Sequence, residues 1–182
     1  AAMEHPDSGL PWTLLHPCSM GLEIALEEAQ DRFARSEAQA GLDYLSVMGM
    51  LQVVADKWSG SDDEMFRFAR DVSSRAPHGD PVHAVVPMAY AEFILGHSDR
   101  TGDEPLHRHE VRQALERSNL LDPAWRLDYQ GIDARNVFAY TLSRYGDTEN
   151  WSALLGILGW HGSRVTRLPW GYLGKPPTIV WR

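Results

Sequence analysis

Apolar residues recur at helical spacing through most of this chain, and they rarely alternate. A strand with one buried face needs apolar side chains at every second position. A helix lying on a core needs them at every third or fourth. Leu22, Ala25, Leu26, Ala29 and Phe33 obey the second rule, and so do Val82, Val85, Val86, Ala89, Tyr90, Phe93 and Ile94. The β-branched run Thr178-Ile179-Val180 stands by itself near the end. The pattern predicts an all-α fold. At 182 residues and 43% hydrophobic, the chain has enough apolar mass to bury a core, so one α-helical domain over 1–182 is the expectation.

Glycine, proline and capping residues divide this pattern into about seven helices. Residues 1–19 hold Pro6, Pro11 and Pro17 without periodicity and read as an irregular lead-in. A first helix is predicted from Ser19, as its cap, to Gln39, and Gly41 ends it. A second is predicted from Leu42 to Trp58. Its Leu45, Val47, Met48, Met50, Leu51, Val53 and Val54 cover nearly the whole circumference, as in a helix buried by several neighbours. Ser61-Asp62-Asp63-Glu64 is a capping box, the sharpest local signal in the chain. The helix it opens carries Met65, Phe68, Ala69, Val72 and Ala76 inward and stops at Pro77 and Gly79. Pro81 starts a fourth helix, which Pro87 is expected to kink. Further helices are predicted at about Pro105–Asn119, Asp133–Tyr145 and Thr148–Leu158, with Leu120–Gln130 as a connector. From Gly159 onward, Pro169, Pro176 and Pro177 alternate with Trp160, Trp170 and Trp181, which reads as an extended wrap.

Short-turn helix pairs invite a search for repeats. The segment Asn136–Leu158 reads N-V-F-A-Y-T-L-S-R-Y-G-D and then a second helix. It resembles a tetratricopeptide hairpin: Phe138-Ala139 takes the family's large–small pair, Leu142 is the next inward residue, and Gly146-Asp147 is the turn. Trp151 departs from the pattern, standing where the family prefers alanine. Asp43–Pro77 is a looser second hairpin, and the fourth and fifth helices form a third pair. The stretches W-S-G-S-D-D-E-M-F-R-F-A-R (58–70) and G-S-R-V-T-R-L-P-W-G-Y-L-G (162–174) are similar to segments of large uncharacterised bacterial helical-repeat proteins. That likeness covers roughly residues 41–174. It implies a degenerate solenoid and no particular activity.

Net charge is −8, but residues 131–182 carry +3 and residues 1–130 carry −11. So acidic a body repels phosphates, which argues against a nucleic-acid partner. The arginines of the C-terminal segment are expected to be solvated. No apolar run reaches the roughly 20 residues of a membrane span. No signal peptide is visible, and Cys18 is the single cysteine, so a cytoplasmic location is the expectation.

Catalytic signatures are scarce. The sequence contains no phosphate-binding loop, no G-x-G-x-x-G, no G-x-S-x-G and no H-E-x-x-H. Its histidine cluster is Leu106-His107-Arg108-His109-Glu110. On a helix His107 and His109 point about 200° apart, whereas His107 and Glu110, three residues apart, share a face. A metal there would need further ligands such as His97 or Asp103, and the helix-face reading, without metal or cofactor, is preferred. Cys18 reads as an inert thiol. Asp62, Asp63 and Glu64 read as first-turn acids at the positive end of a helix dipole.

Five of the seven tryptophans lie at or after Trp125. They are expected to seal the helical stack, with some available for contact. The function expected is that of a helical-repeat module holding a protein or peptide partner on a concave surface, with Tyr44, Met48, Tyr90, Tyr140, Arg144, Trp151, Trp160 and Trp170 as contact residues. The alternative is a small helical tailoring or cyclisation enzyme with an aromatic pocket, in which His107, Glu110 and His161 do acid–base work. A third possibility is a purely structural subunit or a fragment of a longer repeat protein, for which self-association, as in a homodimer, is the expectation.

Overall fold

The structure, a computed structural model, describes residues 24–58, 60–97, 105–159, 164–166 and 169–173. Within these residues there are seven α-helices and no strand, as the periodicity predicts. No helix among them is long and apolar enough to cross a membrane. They gather into two compact units that divide in sequence between Ala76 and Pro77.

The first unit holds α1 (Leu26–Ala40), α2 (Tyr44–Val53) and α3 (Asp62–Arg75). The start of α1 differs from expectation. Ala25 is extended at ψ 146°, so no continuous helix runs from a Ser19 cap, and residue 19 lies outside the described residues. Glu27 and Glu28 still occupy the first turn, where the dipole favours acids. Ala29, Phe33 and Ser36 face inward at spacings of four and three, and the buried Ser46 hydroxyl of α2 donates to that of Ser36 at 3.2 Å.

Helix α2 is shorter than predicted at both ends. Asp43 caps it by accepting from the Ser46 amide at 2.9 Å. The chain turns after Val53 so that residue 60 can lie against the Val54 carbonyl; a Cβ there would stand 2.0 Å from that oxygen, which only glycine avoids. Leu45 is half exposed, so the apolar circumference is not fully covered. Helix α3 starts at its predicted cap. The Ser61 hydroxyl accepts from the Glu64 amide at 3.3 Å and donates to the Glu64 carboxylate at 2.9 Å. Ala76 leaves the helix extended, the conformation that a following proline imposes.

The second unit begins with a 3-10 turn, Pro81–Ala84, and continues with α4 (Val85–Gly96), α5 (Pro105–Ser118), α6 (Tyr129–Arg144), α7 (Thr148–Leu158) and a short 3-10 turn at Trp170–Leu173. The 3-10 turn moves the α-helical start of α4 to Val85. Pro87 thus falls in the first turn, where a missing N–H breaks no intrahelical bond, and not in mid-helix as expected. The Pro87 carbonyl instead accepts from the buried Thr141 hydroxyl of α6 at 2.9 Å.

Helix α6 is the axis of this unit. It packs on α4, α5, α7 and the 3-10 turn, and everything from Ala134 to Leu142 is buried. It starts a turn earlier than predicted because Asp128 caps it, accepting from the Gly131 amide at 2.8 Å. Helix α7 keeps its predicted bounds. Its cap, Asp147, is buried and accepts from Arg112 of α5 at 2.5 Å and from the Asn150 side chain. Burial alone would push this carboxyl up, but the bonds from Arg112 and Asn150 outweigh it and hold the group below the usual aspartate value.

Two buried polar side chains of α6 fix the irregular parts of the unit. Arg135, expected among the solvated arginines, is fully buried and places all five guanidinium N–H groups on backbone carbonyls. Nε donates to Leu120 at 2.9 Å; one amino group donates to Arg126 at 2.8 Å and Gly131 at 3.4 Å; the other donates to Asp122 at 2.9 Å and to Trp125. Asn136 turns the other way. Its amide donates to the carbonyls of Ile132 and Arg164, both at 2.9 Å, and its oxygen accepts from the Thr166 amide at 3.2 Å and the Trp170 indole at 2.9 Å.

The entry to the unit is tied down through Gly79. Its amide donates to the Arg117 carbonyl at 2.7 Å, and its own carbonyl accepts from the Trp125 indole at 2.9 Å. Its φ is +82° and a Cβ would stand 2.7 Å from the Trp125 ring, so both conformation and space require glycine. His83 completes the tie: fully buried, it donates from Nε2 to the Pro77 carbonyl at 2.9 Å.

Burial pushes the His83 imidazole below its ordinary value, and Arg117 and His78 add to that, against the pull of the Pro77 carbonyl and Asp80. The folded chain therefore refuses a proton that the unfolded chain accepts. The stability due to neutral His83 is complete above pH about 6.5 and is lost as pH falls below it. Asp147 adds a second, more acidic loss, because its depressed carboxyl must be protonated. We expect urea midpoints to fall between about pH 7 and 5.5, and the His83→Gln variant, whose amide can still donate to Pro77, to flatten that limb. An equally steep fall in the variant would remove His83 from the account.

Candidate functional site

In the first unit, α1, α2 and α3 enclose an open groove of about 340 Å³, within the few hundred Å³ usual for ligand sites. Phe33, Met50, Val54 and Phe68 supply its apolar side. The Phe33 and Phe68 rings meet edge to face with centroids 5.3 Å apart, which fixes the shape of the floor. Helical spacing explains the arrangement: Phe33 lies one turn after Ala29 on the inner face of α1, and Phe68 lies at the border of the inner face of α3.

The groove rim is ionic. Arg75 at the end of α3 reaches Glu37 of α1 and also Asp71, its neighbour one turn back, at 2.9 Å. Burial works to lower the Arg75 pKa, and the bonds to Glu37 and Asp71 outweigh it, raising the value. These side chains are partly exposed, so the pairs contribute little stability. Their effect is to hold α1 and α3 at one spacing along the groove.

The expected contact residues are split by the structure. Tyr44, Tyr90, Tyr140 and Trp170 are each no more than 2% exposed, so their rings are core material and offer no surface to a partner. Met48 and Trp151 are half-buried and Arg144 is exposed. Trp160 and His161 lie outside the described residues, as do Asp103 and Cys18. The Tyr140 ring stands edge-on to that of Trp170 at 5.8 Å, and burial raises its phenol pKa.

His107 and Glu110 do share one face of α5, as their spacing requires. That face lies on α4. The buried Tyr90 hydroxyl donates to Glu110 at 2.7 Å, and the Tyr90 ring lies 4.5 Å from the His107 ring. Phe93 and Tyr145 stand edge-on to His107 at 6.0 and 6.2 Å. The His97 ring lies 4.5 Å from that of Phe93, and its Nδ1 donates to the Phe93 carbonyl. The Tyr90–Glu110 bond and the Tyr90–His107 and Phe93–His107 ring contacts tie α4 to α5. Among the described residues, no three His, Cys, Asp or Glu side chains gather as a metal site would need.

The groove was not legible in the sequence. Phe33 and Phe68 fit an inward stripe, and nothing in their spacing separates a core position from a groove floor. No family model matches the chain, and neither a curated protein nor a solved structure matches it.

Proposed function

We propose that the chain is a helical-repeat binding module of tetratricopeptide-like kind, which holds a peptide or protein segment in the groove of α1, α2 and α3. One observation carries this reading: the half-buried Phe68, set edge to face on the largely buried Phe33, lies at the base of a groove beside an ion-paired rim. Such a surface stabilises an apolar side chain of a partner by taking it out of water, while the rim limits where the partner backbone can lie.

The hairpin of α6 and α7 supports the repeat assignment. Phe138 and Ala139 are fully buried at the large–small pair, Leu142 is buried one turn on, and Trp151 is half-buried at the variant position. The α2–α3 pair in the first unit and the α4–α5 pair in the second are read as further degenerate repeats, each within its own unit. The acidic charge of residues 1–130 favours a protein partner over a nucleic acid.

Peptide display against the full chain tests this. The selected peptides should carry a large apolar side chain. Ala34 is exposed on α1 and lines the groove, so Ala34→Trp fills the groove from outside the core. We expect unchanged helicity and affinity for the selected peptides weakened at least about tenfold, or ~1.4 kcal/mol. Equal affinity in the variant, or selections that return no reproducible binder, would overturn the assignment.

A further inference from the structure

Arg67 of α3 stands at the border of the groove and takes no part in its ionic rim. The other charged side chains that line the groove are engaged. Glu37 and Asp71 both hold Arg75, and the Glu64 carboxylate accepts from the capping Ser61 hydroxyl at 2.9 Å. The carboxylates one turn to either side of Arg67, Glu64 and Asp71, are therefore already taken. Arg67 itself is exposed, and among the described residues it makes no hydrogen bond or ion pair. It also lines a recess of about 590 Å³ on the outer face of α3, with Asp63, Arg70, Asp71 and Ser74. Helical spacing puts those five residues on one stripe, and Arg67 and Asp71 lie where that stripe meets the groove.

A partner chain that seats an apolar side chain beside Phe68 thus passes the guanidinium of the preceding residue. The unpaired charge it meets there is positive. A guanidinium offers a planar fork of donors, which a carboxylate matches with two parallel bonds. Side chains on one face of an extended chain recur about every 7 Å, so an acid about two to four residues from the anchor comes within reach. Residues 1–130 carry −11. That field repels a run of acids, but it is screened beyond about 8 Å at physiological ionic strength, while a contact pair at the groove edge is screened less. We propose that the groove takes a peptide segment with a large apolar anchor and a single acidic side chain about two to four residues from it, and that Arg67 selects this segment by pairing with the carboxylate. Selection at Arg67 rests on the groove being the binding surface proposed above.

Parallel peptide-display selections on the full-length parent and on Arg67→Glu test it. Because Arg67 is exposed and bonds to no described residue, the two chains should share one helicity and one thermal midpoint. Peptides selected on the parent should carry an apolar anchor with Asp or Glu close by. Those selected on Arg67→Glu should keep the anchor and carry Lys or Arg in that place. A parent-selected peptide should bind Arg67→Glu at least about tenfold more weakly than the parent. Its counterpart with the acid changed to the amide should bind both chains alike. If the added acid beside Glu64 and Asp71 hinders folding, Arg67→Gln takes its place, and its peptides should lose the acid without gaining a base. Peptides that weaken on Ala34→Trp but show no acid preference, or that bind the parent and the Arg67 variant alike, would overturn the inference and leave the groove standing as the binding surface. Peptides indifferent to Ala34→Trp, or no reproducible binder, would overturn the groove reading and the selection at Arg67 with it.

Discussion

Arg135→Met should lower the unfolding free energy by about 3–4 kcal/mol, among the largest losses available from one side chain in this chain. The guanidinium has no carboxylate in its hydrogen-bonding shell. It is held by five carbonyls, those of Leu120, Asp122, Trp125, Arg126 and Gly131. Burial pushes its pKa down, and the more distant Asp122 and Asp128 counter that in part. Removing it leaves the Leu120 carbonyl, in a fully buried residue, without this donor, and an unsatisfied buried group of that kind costs about 1–3 kcal/mol. The loop loses its clamp as well. Asn119 and Arg126 sit at φ 55° and 45°, left-handed conformations that a side-chain-bearing residue keeps only when its surroundings insist. The thermal midpoint should fall by roughly 10 °C, and trypsin should cut after Arg126 many times faster. Arg135→Lys should recover little, because an ammonium offers three donors and lacks the planar fork. A variant as stable and as protease-resistant as the parent would show that the five bonds contribute nothing.

Asn136→Leu should cost about 3 kcal/mol and release Arg164, Thr166 and Trp170 from α6 while α6 itself stays folded. The leucine matches the shape but leaves the Trp170 indole N–H, the Thr166 amide and the Arg164 carbonyl without their partner. The loss should appear in the Trp170 indole resonance, which should move to its free position and exchange rapidly with solvent. Asn136→Asp separates hydrogen bonding from shape. The introduced carboxylate keeps two acceptors but faces the Ile132 and Arg164 carbonyls with no donor. Its folded pKa must lie above the ordinary value, so its deficit relative to the parent should be largest at neutral pH and shrink as pH falls through the carboxylate range, where the protonated form donates again. A variant whose deficit is flat in that range would contradict the donor assignment at Asn136.

The helices were legible because their signals are local. The Ser61 capping box, Gly41 and the Gly146–Asp147 turn each act within one turn of chain, and the helix ends they mark lie within a residue of where the sequence puts them. Errors arose where the deciding group is remote. Pro87 looks like a mid-helix kink until the 3-10 turn at Pro81–Ala84 shifts the helix start. Arg135 looks like any surface arginine, since nothing in its neighbours announces that a loop will wrap it. Of the candidate site residues, the His107–Glu110 pairing was legible from helical geometry, and its partner Tyr90, seventeen residues before His107, was not. Tyr44, Tyr90 and Tyr140 read as inner-helix contacts and Trp170 as a large aromatic contact, and among packed helices the same positions and sizes also make a good core. The groove of the first unit depends on three helices at once, so no single stretch carries its signature.

The central claim is that this groove is the binding surface. Methyl and aromatic NMR of the full chain, titrated with a display-selected peptide, tests it most directly. Saturable shifts are expected at Met50, Val54, Phe33 and Phe68, with Val111, Leu115 and Leu154 of the second unit unmoved. Shifts confined to the second unit, with the four groove side chains silent at saturation, would contradict it.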